Sequence, residues 1–192
     1  MTGEVPDGSL IAINSSNDPS SRLFVNAVVE GALGGERRIV YFASPGMREA
    51  LESDVDIDDE SSIIFIDVGD MTRWPSSIPE NSLVVFDSFS YLVLDKRIFQ
   101  VSPILEEMKK RAVIKNSVVV LNLESGMLEP RFETLINYLA DGVLDFRVRE
   151  NSDSVQRYMM VPKWRRSSSI DTNIYFTIER GRIKFDLRSR VV

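Results

Sequence analysis

The chain has 192 residues, 43% of them hydrophobic and 27% charged, with a net charge of −6 and neither cysteine nor histidine. That length and balance suit one soluble α/β domain with a single core. The missing cysteines exclude disulfides, zinc–thiolate sites and thiol nucleophiles, and the missing histidines remove the commonest general base, so any catalysis would rest on carboxylates, lysines or a bound nucleotide.

Short apolar runs alternate with helical patterns along the chain. Leu10–Ile13, Ile39–Ala43, Ile63–Val68, Leu83–Phe86 and Val118–Leu121 read as strands buried on both faces. Residues 20–33 form the first expected helix, with Leu23, Phe24, Ala27, Val28 and Ala32 apolar and Gly34-Gly35 ending it. Ser102-Pro103 predicts an N-cap and first-turn proline for a helix over 103–112, with Glu106 and Lys110 paired across one turn. Pro130 opens another, with Phe132, Leu135, Ile136 and Leu139 on one stripe and Asp141-Gly142 as its stop.

The tail changes period. Leu144, Phe146, Val148, Tyr158, Met160, Ile174, Phe176, Ile178, Ile183, Phe185 and Leu187 alternate with polar residues, and Glu179-Arg180-Gly181-Arg182 reads as a hairpin turn. The expected architecture is therefore one domain over 1–192, a mostly parallel sheet flanked by helices on both faces with antiparallel C-terminal strands. From Arg147 onward there are 11 Lys/Arg against 5 Asp/Glu, a net of +6, which leaves −12 for the rest. Its acidic run holds Glu52, Asp54, Asp56, Asp58, Asp59 and Glu60. Such polarity suits docking to an acidic partner or to a second copy, with two solvated faces as the plainer reading.

In open α/β sheets, ligands bind beyond the carboxyl ends of the strands, which directs attention to the turn after Ile13. It reads Asn14-Ser15-Ser16-Asn17-Asp18-Pro19-Ser20-Ser21-Arg22. The flanking Gly8-Ser9-Leu10-Ile11-Ala12-Ile13 and Val28-Val29-Glu30-Gly31 resemble the opening strand and helix end of the KaiC-like branch of the RecA ATPase superfamily. Laid on that spacing, Asn14 and Pro19 stand where the phosphate loop has glycines, Ser20 replaces its lysine, and Ser21 keeps a hydroxyl at the magnesium position. Proline removes an N–H, and Asp18 brings negative charge toward any polyphosphate. Arg22 lies one residue beyond, and the helical turn aims it away from a lysine's place. The competing reading is an ordinary strand-to-helix loop capped by Asp18 or Ser20.

Leu83-Val84-Val85-Phe86-Asp87-Ser88 resembles the family's Walker B strand, which places Asp87 where the family orients magnesium-bound water. Tyr41-Phe42-Ala43-Ser44 runs into Pro45-Gly46, so the family's catalytic glutamates are missing there, and Glu49 and Glu52 make poor substitutes. Leu135–Val143 is very similar to a family segment, and Tyr158–Arg165 resembles the strand whose lysine and arginine reach a neighbouring subunit's γ-phosphate. Lys163 and Arg165 keep that pair, while Arg166 replaces the following glycine. The resemblance covers about residues 8–187 and implies a RecA-like P-loop-NTPase fold, most often archaeal, with a degenerate Walker A motif.

What it implies for function is a catalytically inactive pseudo-ATPase, cytoplasmic, acting as a regulatory or assembly subunit in signalling. Its partner would be a protein, in a homo-oligomer or in a hetero-oligomer with an active RecA/KaiC-like subunit. No catalytic residue, metal site or cofactor is assigned, although weak ATP/Mg binding stays open. The alternatives are a nucleic-acid-binding RecA-like paralogue, which the pI near 4.9 disfavours, and a residual ATP-binding protein with an unusual loop. No apolar run approaches a membrane span, and MTGEVPDG lacks the basic and apolar regions of a secretory signal. Met108, Met127, Met159 and Met160 are expected to fill core, and Trp74 and Trp164 to be partly exposed.

Overall fold

The computed structural model describes residues 5–15, 18–35, 37–57, 63–66, 70–151, 154–165 and 170–186. Its strands are β1 (Ser9–Ser15), β2 (Arg38–Ala43), β3 (Ile63–Ile66), β4 (Ser82–Asp87), β5 (Val118–Glu124), β6 (Gly142–Asn151), β7 (Ser154–Trp164), β8 (Ile170–Glu179) and β9 (Arg182–Phe185). They make one nine-stranded sheet in the order β3-β2-β4-β5-β1-β6-β7-β8-β9. The first six strands in that order run parallel, and β7, β8 and β9 are added antiparallel. The helices are α1 (Ser20–Leu33), α2 (Pro45–Asp54), α3 (Phe89–Leu92), α4 (Ile98–Ile114) and α5 (Pro130–Leu139), with 3-10 turns at Met71–Arg73 and Pro75–Ser77.

Two cores lie on opposite sides of this sheet. Leu10, Ala12, Val84, Phe86, Val119 and Leu121 face α4 and α5, while Ile11, Ile13, Tyr41, Val85 and Val120 face α1 and α2. Buried on both sides, β1, β4 and β5 read as the unbroken apolar runs that parallel strands require. Edge strand β3 is less buried, and residues 67–69, into which its expected run extends, lie outside the described residues. So do Ser16, Asn17, Asp58, Asp59, Glu60, Arg166 and Leu187.

Several expectations are corrected. The helix expected over 103–112 begins five residues earlier, with Arg97 at the N-cap and the Gln100 side chain accepting from its backbone N–H at 2.9 Å. Pro103 therefore sits inside α4 and forfeits an intrahelical bond. Burial of Val101, Leu105, Met108 and Ala112, each fully enclosed, outweighs that loss. Glu107, rather than Glu106, is the acidic partner on this helix, receiving Arg111 at 2.8 Å and Lys110 at 3.8 Å. On α1 the deepest residues are Ser20, Ser21, Val25 and Val29, whereas Ala27 is exposed.

In the tail, Met159 and Val161 turn inward in place of Met160, because Met159 stands opposite Phe146 and shares its face of the sheet. The pairing of Asn151 with Ser154 sets that register, and alternation along one strand cannot show which parity its neighbour imposes. Trp74 is only 3% exposed, packed against Phe42, Phe86 and Phe89 at ring-centroid distances of 6.1, 5.1 and 6.1 Å. Trp164 and Met127 are half-buried.

Gly142 marks the tightest approach in the sheet. A Cβ there would meet Ile11 Cδ1 and Trp164 Cε3, both at 2.8 Å. The Trp164 ring cannot swing aside without leaving the α1-side core, so Gly142→Ala should cost about 1–3 kcal/mol, read as a lower urea midpoint and a changed tryptophan emission.

Candidate functional site

The carboxyl ends of β1, β2, β4 and β5 share one edge of the sheet, since Ser15 lies opposite Glu124 and Ala43 opposite Asp87. The Ser125 amide donates to the Ser15 carbonyl at 2.7 Å and closes that edge beside the loop of interest. Beyond Ser15 the chain enters α1 through Asp18 and Pro19. Pro19 already has helical angles and takes the N-cap position, and its carbonyl accepts from Leu23 N–H at 2.9 Å.

A proline has no polar side chain with which to cap, and Asp18 does so from one residue earlier. Its Oδ1 accepts from the Ser20 backbone N–H at 2.9 Å and from the Ser20 hydroxyl. Its Oδ2 receives the Arg157 Nε at 3.0 Å, from β7 and 139 residues away in sequence. The Asp18 side chain is 9% exposed and that of Arg157 31%. The start of α1 thus carries the anion its dipole and free N–H groups favour, and that anion belongs to the protein. Ser21 turns inward, its hydroxyl 2.7 Å from that of Ser15. Arg22 points away, to Asp54 at the end of α2 at 2.8 Å, where Asn26 also donates at 3.2 Å. Asn14 lies on the other face, donating to Asn137 of α5 at 3.3 Å.

Asp87 ends β4 at 1% exposure. The Tyr41 hydroxyl donates to its Oδ2 at 2.5 Å and the Asn122 amide to its Oδ1 at 2.7 Å. Tyr41 and Asn122 come from the two strands flanking β4. Burial, and then the neighbouring Asp87 charge, push the Tyr41 phenol far above its ordinary value. The Ser88 hydroxyl and the Asn122 side-chain oxygen are also buried, with no partner among the described residues. Among the described residues this carboxylate is closed in by neutral donors and forms no ion pair, and a phenol held neutral cannot serve as a base. Among the described residues, no group of three or more Asp and Glu is placed to hold a metal ion.

Lys163 and Arg165 lie at the opposite end of the sheet, because Trp164 pairs with Gly142 at the start of β6. The Lys163 ammonium donates to the Tyr138 carbonyl at 2.7 Å and the Asn137 carbonyl at 3.3 Å, capping α5. Burial and then the nearby Lys109 pull its pKa down, with Asp141 opposing. Arg165 Nη1 donates to the Gly8 carbonyl at 3.2 Å.

The site therefore joins Asp18, Ser20 and Arg157 at one point and Tyr41, Asp87 and Asn122 at another. Of these, Tyr41, Asn122 and Arg157 were not singled out for function from sequence. The available signal was a lone polar residue in an apolar strand: Asn122 interrupts the run Val118–Leu123, and a buried amide needs a partner.

Two measurements check these contacts. Asp18→Asn keeps the cap acceptor and removes the charge, while Arg157→Gln removes the partner. Each should lower stability by about 1–2 kcal/mol, and the double variant by less than the sum, because both delete one interaction. For Tyr41, the stability linked to its raised pKa is fully present below the ordinary phenol value of about 10 and drains as pH rises above it, because the unfolded chain loses the proton first. Wild type should consequently lose stability more steeply than Tyr41→Phe between about pH 10 and 11, by up to one proton's linkage.

The architecture is shared by solved structures. The flagellar accessory protein FlaH from Methanocaldococcus jannaschii superposes with a TM-score of 0.80 at 16% identity, covering 97% of this chain and 92% of that one. A KaiC-like protein from the hyperthermophilic archaeon Pyrococcus horikoshii gives 0.76 at 15% identity, covering 96% and 92%. At such identities the likeness establishes the RecA-like fold alone. No curated protein matches the chain. A family model does match, over residues 1–190, and it makes this chain a member of DUF7125, a family of unknown function.

Proposed function

We propose that this chain is a catalytically inactive RecA-like pseudo-ATPase that works as a regulatory or assembly subunit. The observation that carries the reading is Asp18, whose carboxylate accepts from the Ser20 N–H and is neutralised by Arg157. In a phosphate loop, backbone amides and a lysine surround the phosphates at this point. Here the protein's own carboxylate takes the anion's place, Pro19 contributes no N–H, and Ser20 brings no positive charge. The residues present do not fit a magnesium–nucleotide group, and Asp87, with both oxygens engaged by Tyr41 and Asn122, does not fit a magnesium-water ligand either.

A subunit role follows from what remains. The fold keeps the size and layout of solved structures that include a flagellar accessory protein. Lys163 and Arg165, which the family resemblance places at a neighbour's nucleotide, cap α5 and bind Gly8 within the chain. In this reading they would have to exchange those carbonyls for phosphate oxygens on assembly, most readily in contact with an intact relative.

Calorimetric titration with magnesium–ATP tests the first half. No heat of binding is expected at nucleotide concentrations up to about 1 mM, whereas micromolar affinity would replace this reading with a residual ATP-binding protein. The second half is read in a mixture with a catalytically competent RecA-like partner. There, Lys163→Ala with Arg165→Ala should change the partner's turnover, and unchanged turnover in every mixture tried would remove the trans role.

A further inference from the structure

The last strand of the sheet has an outer edge with a defined pattern. β8 and β9 are joined by the two-residue turn Arg180-Gly181, both residues with positive φ (51° and 74°), which is the turn that matches the twist of paired strands. A two-residue turn makes its flanking residues, Glu179 and Arg182, a hydrogen-bonded pair, and such pairs then alternate along the ladder. Thr177 and Lys184 form the next one, and the Asp186 N–H donation to the Tyr175 carbonyl at 2.8 Å continues the same parity. It follows that the N–H and C=O of Ile183 and Phe185 point outward. β9 ends the sheet, so among the described residues no strand accepts them.

The surroundings of this edge define what fits. Ile183 and Phe185 turn their side chains to the α1-side core, with Phe185 6.3 Å from Phe24 and 5.8 Å from Phe176. Arg182 and Lys184 alternate with them at 77% and 70% side-chain exposure. Beside β9 runs a cleft of about 370 Å³ bordered by Leu23, Ala27, Glu30 and Asp54, and a larger one of about 830 Å³ also includes Arg182 and Asp54 in its lining. The ion pairs of Arg182 with Glu30 (3.4 Å) and of Lys184 with Glu179 (3.2 Å) are solvent-exposed and cheap to exchange.

We propose that the outer edge of β9 is a docking site for an extended segment of a partner protein, in which acidic and apolar residues alternate. The backbone of the segment would pair with Ile183 and Phe185, its acidic side chains would lie beside Arg182 and Lys184, and its apolar ones would face Leu23 and Ala27. Self-pairing of two β9 edges is disfavoured, because an antiparallel pair brings the cations of both copies together, the arrangement by which edge lysines keep sheets apart. An acidic strand meets no such repulsion, and it meets a chain segment, from Arg147 onward, of net charge +6.

The inference is independent of whether nucleotide binds, so its failure would leave the pseudo-ATPase reading standing. The probe is a capped six-residue peptide of alternating glutamate and valine, with a lysine–valine peptide and two N-methylated glutamate–valine peptides, blocked at alternate amides, as controls. In the full chain the Ile183 and Phe185 amides should exchange rapidly, and saturating glutamate–valine peptide should slow them by about tenfold or more while Arg182 and Lys184 amides change little. One N-methyl pattern should abolish that protection and the other preserve it. Exchanging both cations (Arg182→Glu with Lys184→Glu), at positions exposed enough to leave the fold intact by circular dichroism, should transfer the protection to the lysine–valine peptide. Absence of protection, equal effects of the two N-methyl patterns, or unchanged peptide preference after charge reversal would each overturn the proposal.

Discussion

A parallel sheet buried on both faces has to find partners within the protein for the charged and most of the polar groups at its carboxyl edge, and this requirement organises the candidate site, leaving the Ser88 hydroxyl and the Asn122 side-chain oxygen without a partner among the described residues. β1 and β4 are buried along their whole length and β5 along all but its last residue. Water reaches little of the edge they share, so each polar side chain there needs a partner from a neighbouring element. Asp87 finds two, on β2 and β5; Ser15 finds Ser21; Asp18 finds the start of α1 and Arg157. Ligand sites of open α/β sheets occupy this same edge because strand-to-helix loops leave amides free there. In this chain the amide of Ser20 and the carboxylate of Asp87 are spent internally.

The same requirement links distant parts of the fold. Arg157 is useful to Asp18 only because β7 returns antiparallel beside β6, which carries its far end past the carboxyl end of β1. The antiparallel extension thereby connects to the loop after β1 through the Asp18–Arg157 ion pair while also building the edge presented by β9. At the opposite end, Lys109 and Lys163 both reach the last carbonyls of α5, and Asp141 binds the Leu10 backbone, so the amino ends of the strands are closed by caps rather than by loops with free donors. The two ends of the sheet solve one problem with opposite charges: a carboxylate where the helix begins and ammonium groups where another ends.

Much of this was legible in the chain itself, for reasons of period. Strands buried on both faces leave uninterrupted runs such as Leu10–Ile13 and Val118–Leu121, and proline or glycine punctuates α1 and α5 at their true ends. The α1 boundaries at Ser20 and Leu33 agree with the sequence reading. Elsewhere local signals competed with burial and lost. Ser102-Pro103 has the form of a helix start, yet α4 runs through it because four fully buried side chains hold it against the sheet. Trp74 precedes a proline in a polar stretch, yet three phenylalanines enclose it.

By itself, then, the sequence determined the class of fold, the position of the loop after β1, the absence of a lysine and glycines from that loop, and an aspartate at the end of β4. These depend on residue type and short-range spacing, which a chain displays directly. Only the tertiary structure decided that Asp18 is the anion at the start of α1, because its counterion is 139 residues away. Likewise, only the packed sheet brings Tyr41 and Asn122 onto Asp87, and only the register of the β8–β9 hairpin shows which amides of β9 face outward. Partners chosen by strand order and bulges have no fixed separation along the chain, so no spacing rule could have named them.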